Sequence, residues 1–325
     1  PRAARRVRAQ GARPRRARGR TFGGAAQATA LAAAVNPALR PSQEGLLPFR
    51  RLLLVLDAMS GFAASAETAA RLARHFEAEF AALYVESEEI LRLAGHPGAR
   101  LVAATPETES VKTAGLDAET LARALRARAE EVRRTVERAA RGSAVGASFA
   151  IRRGRVAAEV ASSASHSDLV IVAWAERAAW PGPISTADAA EAIARANPGT
   201  ILFLREGRAL TGPVVVAFDG TEAAERALEA GAAIAGIAGN PIELILTTPR
   251  MAEAERWRDE IQMRLAGTNA ELEFLHLPGG GRDELCAAAR ARGASLVVVG
   301  ADTHGDETRA GELLDRLSCS LLLVR

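Results

Sequence analysis

Two acids that end apolar runs are the first residues in this chain that could do chemistry. Asp57 closes RLLLVLD and Asp219 closes PVVVAFD. An acid at a strand end caps the helix that follows, which is the plainest reading of both. A phosphoryl-accepting Asp would need further acids beside it and a lysine at the end of a fifth strand. Lys112 is the only lysine and lies far from any such place. No Gly-x4-Gly-Lys-Ser/Thr phosphate loop occurs, no strand leads into Gly-x-Gly-x2-Gly, and no Gly-x-Ser-x-Gly turn is present. Five histidines are scattered, at 75, 96, 166, 276 and 304. Asp302, His304, Asp306 and Glu307 carry donors that a divalent ion takes, but a solvated polar loop explains them more simply, and no metal is assigned. Cys286 falls in a helical pattern and Cys319 just before the last strand, so both read as small core residues without a redox role. Trp174, Trp180 and Trp257 read as packing residues.

These residues need elements to position them. From Arg51 onward, short β-branched and leucine-rich runs alternate with Ala-rich amphipathic stretches, the pattern of βαβ units. Predicted strands are 51–57, 80–86, 148–153, 168–174 and 200–205, then 213–219, 242–247, 271–277, 295–301 and 320–325. Predicted helices include 117–141, with Leu121, Leu125, Val132 and Val136 on one stripe, and 221–238, with Ala224, Ala227, Leu228, Gly231 and Ile234. The chain is built twice. RLLLVLD matches PVVVAFD, DLVIVAW matches SLVVVGA, and TILFLR matches SLLLVR. Gly154-Arg155 before Ala157-Ala158-Glu159 parallels Gly281-Arg282-Asp283-Glu284. Each half is a full domain in length. The divisions are 1–48 as a disordered Arg/Ala-rich tail, 49–207 as a first domain and 211–325 as a second.

On these repeated motifs the chain resembles a tandem universal stress protein. The carriers are the first strand ending in Asp57 or Asp219, the small or hydroxyl residues Ala58 and Ser60 or Gly220 and Thr221, the Gly-Arg stretch, the Asp-Leu-Val-Ile-Val strand and the apolar last strand. The resemblance implies an α/β class: two tandem five-stranded parallel sheets, Rossmann-like, strand order 3-2-1-4-5, with helices on both faces. In such sheets ligands sit outside the carboxyl ends of the strands where the order reverses. That point would be lined by residues 57–60 and 173–177 in the first half, and by 219–221 and 300–311 in the second.

Some members of the family bind ATP, and these resemble one another in a Gly-x2-Gly-x9-Gly-Ser/Thr stretch after strand four. Such glycines let backbone N–H groups approach phosphates. The chain departs from that pattern twice. In the first half Ala173 and Glu176 stand at the first two glycines, and Trp174, Trp180, Pro181 and Pro183 fill the loop. In the second half Gly300 is kept, Thr303 takes the second place, and a shifted reading uses Gly305 and Gly311, with Glu312 where the hydroxyl should be. Asp302, Asp306, Glu307 and Glu312 make that stretch mostly negative. The resemblance therefore carries over the pocket position, with Asp219, Gly220, Thr221, Gly300, Gly305, Gly311, Asp57 and Ser60 as ligand-binding candidates. ATP is a candidate ligand, and no cofactor is assigned.

Charge narrows the partners. Residues 1–50 hold eleven Arg against Glu44 alone, while residues 51–325 hold 31 bases against 38 acids. The overall net charge of +3 thus hides a body at −7, which argues against nucleic acid except through the tail. The tail lacks aromatics apart from Phe22 and is poor in Ser and Thr, against base stacking and targeting, and no role is assigned to it. No apolar run approaches a membrane span. Residues 88–116 read as an insertion after the second strand, a packing or dimerisation flap. The apolar runs 202–204 and 321–324 are the expected pairing edges, within the chain or in a homodimer. The expectation is a cytoplasmic, non-catalytic stress-response protein with a binding or regulatory role toward an unidentified protein partner. The alternatives are an ATP sensor in the second domain and a weak nucleotide-hydrolysing enzyme.

Overall fold

A strand buried on both faces must be apolar at every position, not at alternate ones. RLLLVLD is such a strand, buried from Leu52 through Leu56. The computed structural model describes residues 49–57, 62–88, 118–164, 168–174, 186–197, 199–268, 270–301 and 310–325. These belong to one compact unit. The tail at 1–48, nearly all of the insertion, the 302–307 polar cluster, Ser60 and Gly305 lie outside the described residues.

The first half runs β1 (Arg51–Asp57), α1 (Phe62–His75), β2 (Glu79–Ser87), α2 (Ala118–Gly142), β3 (Ala147–Gly154), α3 (Val156–Ala164), β4 (Leu169–Trp174), α4 (Thr186–Ala196) and β5 (Thr200–Arg205). The second runs β6 (Val214–Phe218), α5 (Glu222–Ala238), β7 (Ile242–Leu246), α6 (Met251–Leu265), β8 (Leu272–His276), α7 (Arg282–Ala291), β9 (Leu296–Gly300), α8 (Ala310–Arg316) and β10 (Ser320–Val324).

The strands form one sheet in the order β3-β2-β1-β4-β5-β10-β9-β6-β7-β8. Each half keeps the order 3-2-1-4-5 and is parallel throughout. The halves meet where β5 and β10 pair antiparallel, with Leu321 opposite Phe203, Leu322 opposite Leu202 and Leu323 opposite Ile201. The expected pairing edges thus fuse two five-stranded sheets into one of ten strands. Because the seam is antiparallel, the carboxyl ends of the first half's strands lie at one rim of the sheet and those of the second half at the opposite rim.

Alternation along each strand sorts the core into two layers. Leu52, Leu54 and Leu56 face α1, α2, α5 and α6. Leu53 and Val55 face the side covered by α3, α4, α7 and α8. Of the helical stripes predicted from spacing, Leu125, Val132 and Val136 on α2 and Ala224, Ala227, Leu228 and Ile234 on α5 are buried; the side chain of Leu121 lies outside the described residues. Gly231 lets α5 lie close to the sheet, since a Cβ there would meet Val216 Cγ2 at 2.9 Å.

Candidate functional site

The second half's rim is built by the turn from β6 into α5. Asp219 Oδ1 accepts from the Thr221 backbone N–H at 3.0 Å and from its hydroxyl at 2.7 Å. Thr221 Oγ1 in turn accepts from the Ala224 N–H at 3.2 Å and caps α5. An N-cap hydroxyl satisfies one of the N–H groups that the first turn leaves without a helical partner. Gly220, between them, has φ +78°, a conformation that costs a Cβ-bearing residue energy. Trp257 on α6 covers Gly220 and meets Phe218 edge-on, with centroids 5.3 Å apart. This indole was read as packing, and it does pack, but onto a candidate site residue.

Gly300 ends β9 opposite Val324, and the next N–H, of Ala301, donates to the Val324 carbonyl at 2.7 Å. Gly311 is buried in the first turn of α8. Glu312 beside it accepts from Arg282 at 2.9 Å, and Arg316 pairs with Asp283. These two ion pairs tie the start of α7 to α8 around a cavity of about 360 Å³ lined by Gly281, Arg282, Asp283, Glu284, Glu312 and Arg316. The repeated Gly-Arg stretch is a helix start: the Gly281 N–H donates to Glu284 Oε2 at 2.9 Å. In the first half, the Glu159 side chain fills the space beside Gly154.

At the first half's rim Asp57 is half-buried and lies opposite Val85 of β2. Tyr84, one position back, is fully buried, and its hydroxyl has no hydrogen-bond partner among the described residues. Burial pushes this phenol up to about 12; Arg128 opposes the shift, and Asp57 and Glu86 add to it. The Arg128 guanidinium lies 4.3 Å from the Phe62 ring centre, and Glu86 is held by Arg153 at 2.8 Å. Sequence reasoning passed over Tyr84, because only the fold sets it beneath α1 and α2 beside that rim.

The structure brings Asp219, Gly220 and Thr221 together in one turn, and Gly300 ends the strand beside β6. Asp57 belongs to the other rim. Among the described residues no cluster of His, Cys, Asp and Glu could hold a metal. Cys286 and Cys319 are buried, and burial pushes the Cys319 thiol up to about 11, so neutral pH leaves it protonated. Among the described residues no helix is long and apolar enough to cross a membrane.

No protein-family model matches the chain, and no curated protein matches its sequence. Solved structures do match its shape. A universal stress protein from Archaeoglobus fulgidus DSM 4304 aligns over 84% of this chain and 96% of its own, with a TM-score of 0.59 and 14% identity. A protein from Pseudomonas aeruginosa UCBPP-PA14 that is classed with the universal stress proteins covers 85% and 93%, at TM-score 0.51 and 18% identity. A protein of unknown function from Pseudomonas aeruginosa PAO1 covers 85% and 92%, also at TM-score 0.51 and 18% identity. The chain thus has the universal stress protein fold, built twice in tandem.

Proposed function

We propose that the chain is a non-catalytic binding or regulatory protein of the universal stress protein type, acting in the cytoplasm through a protein partner. One observation carries this reading: Glu312, at the start of α8, is engaged by Arg282. An anionic ligand arriving at that helix would meet a carboxylate already bound to Arg282. The turn below supports the same view, since Asp219 Oδ1 is spent on Thr221 and Gly220 lies under Trp257.

A second reading is favoured by one atom. Asp219 Oδ2 makes no hydrogen bond among the described residues, and it stands at the carboxyl end of β6. A hydroxyl-bearing ligand such as adenine nucleotide could donate to it, making the second half an ATP sensor.

One experiment separates the readings. The full chain is purified without added ligand and denatured, and the supernatant is assayed for adenine nucleotide. ATP–Mg²⁺ is then titrated calorimetrically and phosphate release is followed. The regulatory reading expects no bound nucleotide, no heat and no turnover. Close to one nucleotide per chain would overturn it in favour of the sensor. Metal-dependent turnover lost in Asp219→Ala would overturn it in favour of a hydrolase.

A further inference from the structure

The last strands of the two halves end in the same residue at matched positions, TILFLR and SLLLVR. Arg205 is buried at the seam, 8% exposed. Its Nη2 donates to the carbonyl of Leu314 at 3.2 Å and to that of Leu317, at the carboxyl end of α8. Its backbone N–H donates to Ser320 Oγ at 3.1 Å. Arg325 does the converse, its Nη2 donating to the Ala194 carbonyl at 2.6 Å in the last turn of α4. Ala194 lies eleven residues before Arg205, and Leu314 lies eleven before Arg325. The two bonds are one contact made in both directions across the seam.

The last carbonyls of a helix have no intrahelical partner and carry partial negative charge. A guanidinium there satisfies the carbonyls and opposes the charge. Here each guanidinium comes from the other half. Each helix also begins near its own half's rim. α8 opens at Ala310, Gly311 and Glu312 and ends at Arg205. Arg205 is registered with Trp174, at the first half's rim. Arg325 directly follows Val324, which is registered with Gly300 at the second half's rim.

We infer that Arg205 and Arg325 are reciprocal latches: each holds the last helix of the opposite half and so links the two rims of the sheet. A shift at the start of α8 reaches the first half through Arg205. A shift in α4 reaches the second half through Arg325.

Hydrogen exchange on the full chain, read by mass spectrometry, tests this. Arg325→Ala removes a side chain at the end of the last strand and leaves the core intact. The expected result is about fivefold faster exchange in the last turn of α4, in the first half, with the helices of the second half unchanged. Arg325→Lys keeps one donor and restores most of the protection. Arg205→Ala is expected to act on the last turn of α8; if burial makes that variant unfold, Arg325→Ala decides alone. Faster exchange confined to the second half, spread evenly over the chain, or absent altogether would overturn the inference.

Discussion

A Cβ on Gly220 would lie 2.3 Å from Trp257 Cζ2 and 2.9 Å from Cε2. With its positive φ, this makes Gly220 the one residue type that the turn from β6 to α5 can hold beneath the indole. Packing thus explains a glycine that the family resemblance assigned to a ligand.

Gly220→Ala is expected to cost about 2–3 kcal/mol of stability, from backbone strain and overlap together. In a Trp257→Ala background the overlap disappears and only the strain remains. A denaturant-based double-mutant cycle reads the difference. Strictly additive costs would mean that the indole moves aside freely.

Gly231 and Gly236 share α5 and should respond oppositely to alanine. Gly231→Ala drives a methyl into Val216 and is expected to cost about 1–3 kcal/mol. Gly236 has open space around the missing Cβ, so Gly236→Ala is expected to add about 0.5–1 kcal/mol. Thermal or urea unfolding of the two single variants checks both signs. Equal effects would refute the close approach of α5 to the sheet.

Tyr84 is the only tyrosine, so phenolate absorbance reports it alone. It is expected to ionise near 12 in the folded chain, against 10.0 for an ordinary phenol. The folded state then keeps a proton that the unfolded chain loses. Stability is therefore unaffected by this group below about 10 and falls as pH rises from there toward 12. Ionisation at the ordinary value, before unfolding begins, would show that the hydroxyl reaches solvent.

Glu312→Ser removes the carboxylate, frees Arg282 and places a hydroxyl directly after Gly311. We expect calorimetry to show heat of ATP–Mg²⁺ binding where the unaltered chain gives none, since a repulsive charge is lost and a cation released. A variant that still gives no heat would locate the obstacle elsewhere on the rim.

Much of the fold was legible because its signals are periodic. Ten apolar runs gave ten strands, and the repeat of TILFLR as SLLLVR marked the pair that meets at the seam. The cap read for Asp219 is made one step away: Asp219 holds Thr221, and it is the Thr221 hydroxyl that caps α5. The site's remaining features join residues distant in sequence. Trp257 reaches Gly220 from 37 positions away, and Arg282 reaches Glu312 from 30. No local pattern announces such pairs. The Gly-Arg stretch was legible as a repeat but not as a helix start, because its meaning rests on where the Glu284 carboxylate turns.

The opposed directions of β5 and β10 set a valency. A strand of five or six residues spans about 17–20 Å, so no metabolite-sized molecule can occupy both rims at once. On the proposed binding role the two rims would act as separate heads, and two macromolecules gripping opposite rims would be tethered through a single covalent backbone.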